Sequence, residues 1–241
     1  MKATTQEAYD ELWTKTWGDM QRFGPVHRRQ TEGLLRLILK LQVRTILDVG
    51  CGSGDNLAAL SQAIPALRLT GVDVSPEALA LAAQRVPRAE LRRLDVQSER
   101  LSERYDLVMA IQVIEHLPDD VSALSNMAQM AKRWVVITTM RGRMRPSERA
   151  IGHFRNYSDG DLQRKAASAG LEVTDIFGWG FPFYSPIYRT LVEWLPGGPP
   201  EGEIVGKRRL AANFLYYLYS LNIPRRGDVV TMVARPRVSL L

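Results

Sequence analysis

Apolar positions along the chain follow two spacings, and the spacing changes near Val43. Before it, they recur at helical intervals. Tyr9, Leu12, Trp13, Trp17 and Met20 share one face of a helix expected over Thr5–Met20, which Gly24-Pro25 breaks. Leu34, Leu35, Leu37, Ile38 and Leu41 mark a second helix from about Arg28 to Leu41. Beyond Val43, short apolar runs alternate with helix-compatible segments. Val43–Val49, Leu67–Val72, Ala89–Leu94, Tyr105–Ile111, Arg133–Thr139 and Leu171–Phe177 read as strands. Helices are expected at Leu57–Leu60, after Ser75-Pro76, over Val121–Lys132 and over Leu162–Ala169. Ser75 suits an N-cap with Pro76 at the first helical position, Ser158 or Asp159 is the expected cap before Leu162, and Gly170 ends that helix. This alternation predicts an α/β fold: a parallel sheet covered by helices on both faces.

The rhythm breaks after Phe177. The next strand candidate, Asp228–Ala234 (DVVTMVA), lies about fifty residues on, too far for a plain loop. Gly178–Pro186 (GWGFPFYSP) and a Gly197–Gly202 turn precede Lys207–Leu221 (KRRLAANFLYYLYSL), which is apolar and aromatic enough to be a buried helix. The organisation expected is an N-terminal helical cap (1–42), a core (43–177 with 227–236) and a helical insertion (178–226). The insertion would serve as lid, acceptor pocket or dimer interface, or rest on a membrane.

The chemistry centres on Thr45–Asn56, TILDVGCGSGDN: a strand, a glycine-rich turn and a helix start. The glycines keep side chains away from a ligand and allow positive φ. Asp48, at the strand's end, can accept hydrogen bonds from an ammonium group or loop amides. The spacing Asp48-x-Gly50-x-Gly52-x-Gly54 is not the dinucleotide G-x-G-x-x-G, and no Gly-Lys-Ser/Thr follows as a phosphate loop needs. Downstream, the second strand ends at Asp73, about twenty residues past the loop, where a carboxylate can accept both hydroxyls of a ribose.

An acidic residue followed by three alternating glycines resembles motif I of the class I S-adenosylmethionine-dependent methyltransferases. The stretch VIEHLPDD, at Val113–Asp120, resembles the branch that includes ubiquinone O-methyltransferases and many small-molecule methyltransferases. The resemblance implies a Rossmann-like seven-stranded sheet, mostly parallel with an antiparallel last strand. It implies an enzyme that uses S-adenosyl-L-methionine, held by Asp48, Gly50, Cys51, Gly52, Asp73 and Val74. Asp95 and Val96 would take the adenine, and Ile111 and Gln112 would neighbour the adenine and the methionine portion. Arg28 and Arg29 could reach the cofactor's carboxylate. Trp17, Glu115 and Tyr157 are candidate acceptor contacts, and the arginines of Met140–Asp159 would suit an anionic acceptor. His116 and His153, the latter in an HFRNYS element also resembling this branch, are the catalytic candidates. His116 has three readings: a general base, a ligand beside Glu115 and a later histidine for a divalent metal, or a loop-shaping residue. Small-RNA 2′-O-methyltransferases use a related E-x-x-E-H segment for metal, but Gln112 replaces its first glutamate, so no metal is expected. The expected reaction is O-methylation of a small molecule such as a natural product or sugar, with N- or C-methylation, RNA or lipid as alternative acceptors. A non-catalytic cofactor-binding role is the remaining alternative.

Composition adjusts this only slightly. At 241 residues, 45% hydrophobic and 24% charged, the chain can bury a substantial core. No run reaches the roughly 18–20 apolar residues of a membrane span, and the first ten residues lack a signal peptide's apolar core. Cys51 is the lone cysteine, so there is no internal disulfide, and a cytoplasmic protein is expected, as monomer or homodimer. The net charge is +6 and the pI about 9.6. The arginines are dispersed, without a basic tail or an aromatic-interleaved RNA motif, so a small-molecule acceptor is favoured over nucleic acid.

Overall fold

The buried strand β1 (Thr45–Val49) is the centre of the molecule, with all five residues inaccessible. The structure is a computed structural model that describes residues 18–194 and 204–237. Most of the helix expected over Thr5–Met20, Trp13 and Trp17 included, lies outside them; α1 (Gly18–Phe23) is described. Gly24 then caps α2 (Pro25–Leu41), which starts three residues before the expected Arg28 because Pro25 occupies its first position.

After β1 come α3 (Asp55–Ala63), β2 (Arg68–Asp73), α4 (Pro76–Arg85), β3 (Glu90–Arg93) and β4 (Tyr105–Ile111). Ser75 caps α4 by accepting from the Ala78 N–H at 3.1 Å. Helix α5 (Asp120–Met130) runs without a loop into β5 (Ala131–Met140), and α6 (Pro146–Ala150), α7 (Asp161–Ser168) and β6 (Leu171–Trp179) follow. The cap of α7 is Gly160 at φ 77°, not Ser158 or Asp159. The sheet order is β3-β2-β1-β4-β5-β7-β6; β7 (Val229–Pro236) runs antiparallel between β5 and β6, and the other pairings are parallel. Period-two alternation sorts the core. Leu47 and Val49 join Leu124, Met127, Leu162 and Ala166 on the α5–α7 side. Ile46 faces Leu34, Ile38, Leu57 and Leu60 on the α2–α3 side.

Between β6 and β7 the chain forms a π-type turn at Phe183–Tyr188, α8 (Arg189–Trp194), α9 (Gly206–Leu218) and a 3₁₀ turn at Tyr219–Leu221. This insertion is tied down at two points. Arg189, buried, pairs with Glu148 and, at 2.6 Å, with Asp228. Arg28 and Arg29 stack on Tyr216 at 3.7 and 3.9 Å, and Arg28 donates to Asn213 at 2.8 Å. These two arginines therefore clamp α2 to α9, which corrects the expectation that they reach a cofactor carboxylate. A second correction concerns Lys207–Leu221: it is helical as expected but not buried, with Leu210, Phe214, Tyr217 and Leu221 each 66–71% exposed. Among the described residues, no helix is long and apolar enough to cross a membrane.

Candidate active site

The carboxyl ends of β1, β2 and β4 open into one cavity of about 550 Å³, closed on one side by α2 and on another by the segment around α6. This is the crevice where parallel α/β sheets bind ligands. The floor is the glycine turn. The Gly50 and Cys51 N–H groups both donate to the Val72 carbonyl, at 2.8 and 3.0 Å, folding the loop onto β2. Gly50 has φ 67°, and a Cβ there would meet Val113 Cγ2 at 2.6 Å. Glycine is required twice over, for conformation and for space.

Two carboxylates stand behind the turn. Asp73 lines the cavity and accepts from the Gly52 N–H (Oδ2) and the Ser75 N–H (Oδ1), both at 2.9 Å. These bonds fix the orientation of the carboxylate at the cavity wall. Asp48 is buried behind the loop, and its Oδ2 has no partner among the described residues. Burial, with the Asp73 charge added, raises its pKa well above the ordinary range. Burial also raises the Cys51 thiol, with both aspartates adding to the effect, so it is an unreactive small residue in the loop. Asp95, Val96, Val74, Ile111 and Gln112 line the same end of the cavity. Asp95 Oδ1 accepts from the Gln97 N–H at 2.9 Å. Gln112 sits at φ 57°, a strained position for this residue type at the end of β4, with its side-chain nitrogen unpaired.

The other end is formed by His116, His153, Phe154, Ile151, Leu117 and Met140. The two imidazoles meet edge to face, centroids 4.6 Å apart. Burial, then the neighbouring His153, pushes the His116 pKa down to about 3 against a hydrogen bond with the Gly152 backbone. Burial also lowers His153, whose Nδ1 lies 3.4 Å from Asn156 Oδ1. Both rings are therefore neutral near pH 7. Glu115 is fully buried just behind them; burial pushes it up to about 7, Thr139 donates to its Oε2 at 2.8 Å, and its Oε1 is unpartnered. Glu115, His116 and His153 bring one ligand atom each to within 4.8 Å of one another.

A family model, described as a methyltransferase domain, matches residues 47–133. The chain is 27% identical to a trans-aconitate 2-methyltransferase of Azoarcus sp. (strain BH72), covering 74% of this chain and 71% of that one. It is 24% identical to a ubiquinone biosynthesis O-methyltransferase of Nitrosospira multiformis, over 76% and 86%. The fold matches the magnesium protoporphyrin IX methyltransferase of Synechocystis PCC 6803 solved with bound S-adenosylmethionine, at a TM-score of 0.57, 15% identity and coverage of 88% and 80%. Together the family model, these relatives and the fold support a class I S-adenosylmethionine-dependent methyltransferase.

Its cofactor is S-adenosylmethionine, and the cavity suits that molecule. The lining carries Asp55, Asp73, Asp95 and Glu148, and no lysine or arginine among the described residues. Asp55 and Glu148 are paired with Arg85 and Arg189, so Asp73 and Asp95 are the lining acids that favour a cationic sulfonium and ammonium, and the wall offers no phosphate cradle.

The candidates read from the sequence fall into four groups. Gly50, Cys51, Asp73, Val74, Asp95, Val96, Ile111, Gln112, His116 and His153 line the cavity. Asp48, Gly52 and Glu115 lie directly behind its lining. Tyr157 does not reach it: the side chain is 1% exposed in the core, and its hydroxyl donates to Asp120 Oδ2 at 2.8 Å. An acceptor contact from Tyr157 is thus corrected to a structural role. Trp17 lies outside the described residues. The segment's arginines are also engaged elsewhere. Arg155 pairs with Asp120, Arg145 with Glu193 and Arg141 with Asp159, and none lines the cavity. Missed by the sequence reading were His27, Gln30 and Thr31 of α2, Asn56, Glu148 and Tyr184. The α2 trio did not stand out, because His27–Glu32 is polar throughout and its pattern does not mark which residues face the cavity. Tyr184 gave no signal.

Proposed function

We propose that the enzyme methylates an oxygen of a small, uncharged and largely apolar molecule. The observation that carries this is the composition of the acceptor end: Met140, Leu117, Ile151, Phe154 and Tyr184 around two neutral imidazoles, with no cation lining the cavity among the described residues. A polycarboxylate such as the trans-aconitate named for one relative would find no cation lining the cavity, since the arginine nearest Glu148, Arg189, is buried in its pairs with Glu148 and Asp228. A hydroxyl on an apolar ring, closer to what the ubiquinone biosynthesis relative is named for, agrees with the lining. In the transfer, an oxygen lone pair forms the O–CH₃ bond as the S–CH₃ bond breaks and its electrons remain on sulfur. The hydroxyl proton leaves to a base; His153 is the stronger candidate at that wall, because burial holds His116 at a pKa of about 3, too low for an effective base. Most of the rate comes from alignment and exclusion of water, because the electrophile belongs to the cofactor.

A second reading of the same wall is favoured by one feature. Glu115 Oε2, His116 and His153 Nδ1 have hydrogen-bond partners in Thr139, the Gly152 backbone and Asn156, while Glu115 Oε1 has none. Metal ligands are oriented by such partners, and a divalent cation drawn in between the three would lower the acceptor's pKa.

The test is release of S-adenosylhomocysteine from labelled cofactor with phenolic, sugar and polycarboxylate acceptors, before and after dialysis against a chelator, with Asp73→Ala as control. Turnover with neutral hydroxyl compounds supports the proposal. Turnover confined to polycarboxylates, amines or RNA overturns it, and loss with chelator that cobalt restores selects the metal reading.

A further inference from the structure

Most of the large apolar side chains that the described residues leave exposed lie in one stretch, Ile187–Ile223. Leu210, Phe214, Tyr217 and Leu221 are spaced i, i+4, i+7 and i+11, a single line along α9 and the turn after it, and are 66–71% exposed. Ile187, at the end of the π-type turn, and Leu191 and Trp194 of α8 repeat i, i+4, i+7, at 53, 56 and 82%. Neither line results from a loosely held helix. The opposite side of α8 is fixed by buried Arg189 and Val192. The opposite side of α9 is fixed by the arginines stacked on Tyr216 and by buried Ala212. Tyr219, just beyond, packs edge-on against Trp179, Tyr184 and Tyr188 at about 6 Å. Two anchored helices thus present apolar lines to water, which monomeric soluble proteins avoid over large areas.

The charge beside these lines selects the occupant. From Ile204 to Gly227 the sequence holds Lys207, Arg208, Arg209, Arg225 and Arg226 and no aspartate or glutamate; Arg225 is paired with Asp175 at 2.6 Å, Arg209 lies over the Phe23 ring, and Glu193 of α8 is paired with Arg145. Lys207 lies within one turn of Leu210 on the same side of α9, and the segment's aromatic residues are of the kind that favours a membrane–water interface. A second copy of this chain would bring a like-charged segment against itself, whereas an anionic surface answers the charge. We infer that the face formed by α8, α9 and the following turn docks on an anionic lipid bilayer, with the two helices lying in the headgroup plane. Tyr184 belongs to the aromatic cluster under this face and also lines the cavity, so docking sets the acceptor end of the cavity close to the bilayer. The inference goes beyond methyl transfer and holds whatever the acceptor is.

The experiment is sedimentation of the full chain with large vesicles of phosphatidylcholine alone or with about 30% phosphatidylglycerol, alongside analytical ultracentrifugation without lipid. The variant is Leu210→Ser/Phe214→Ser, at exposed sites that carry no fold contact of note; its Tm and S-adenosylhomocysteine affinity check that the fold is kept. The expected result is at least about tenfold tighter binding to the anionic vesicles, weakened by ~0.5 M salt. The variant should lose at least about tenfold of that affinity with Tm unchanged. Equal, negligible binding of wild type to both vesicles overturns the inference. So does a concentration-dependent dimer that the same double substitution disrupts, which would make the face a protein interface.

Discussion

Replacing Gly50 by alanine tests the cofactor loop most directly, because its two costs can be separated. The first is conformational: φ 67° is open to glycine, and an L residue there costs about 1–2 kcal/mol. The second is steric. The added Cβ would lie 2.6 Å from Val113 Cγ2 and 2.9 Å from Cγ1, against the 3.5–4.0 Å of an ordinary carbon contact. Overpacking of this kind costs about 1–3 kcal/mol. The substitution should therefore destabilise the folded protein by about 2–5 kcal/mol, or move the loop to avoid that cost. A moved loop would shift Gly52 N–H from Asp73 and weaken S-adenosylhomocysteine, by about thirtyfold for 2 kcal/mol. Val113→Ala removes both clashing methyls and leaves only the valine Cβ position at 3.4 Å. The double variant should then recover the steric part and keep the conformational part. Urea unfolding and calorimetric titration of the four proteins of the cycle measure the coupling. It should be favourable by about 1–3 kcal/mol; a value under about 0.5 kcal/mol would show that Val113 does not hold the loop in place.

Three further outcomes are expected. Arg189→Met breaks a buried pair, an event worth about 3–5 kcal/mol, reduced here to about 2–4 because Glu148 keeps the Arg145 N–H and Asn156 donors and Asp228 is 36% exposed. Tm should fall by roughly 5–15 °C, and a shift under 2 °C would refute the anchor. His27, at the cavity wall, is held neutral by burial at a pKa of about 4 against 6.5 in the unfolded chain. The unfolded state binds more protons between those values, so stability is full above pH 6.5 and falls toward pH 4, by no more than about 3 kcal/mol. His27→Gln should flatten that limb of a Tm-versus-pH profile, and an unchanged slope would sink the assignment. Tyr157→Phe should cost about 1 kcal/mol through the lost Asp120 bond while leaving the acceptor KM unaltered; a raised KM with Tm intact would return Tyr157 to the acceptor site.

What could be read before the structure, and what could not, follows from the range of the interactions involved. Strands β1, β2, β4, β5 and β7 were visible because a buried strand writes its environment into consecutive residues, as TILDV and YDLVMAI do. The glycine turn and Asp73 were visible because a ligand loop imposes residue types at fixed short spacing. Tyr157 and the arginines were misplaced for the opposite reason. An Arg or Tyr near a site in sequence says nothing of which way it turns, and here Asp120, 35 to 45 positions away in the chain, captures Tyr157, Arg155 and Lys165 together. Helix α9 is the most instructive case. KRRLAANFLYYLYSL contains enough apolar residues for a buried helix, and composition alone led to that expectation. Its phase is what matters: Ala212, Tyr216 and Tyr219 make the inward side, and the larger apolar residues lie outside. Hydrophobic content measures how much surface a segment needs to remove from water, but not whether its own fold removes it. Where a helix is firmly anchored on one side and still apolar on the other, the unmet demand points to something outside the chain.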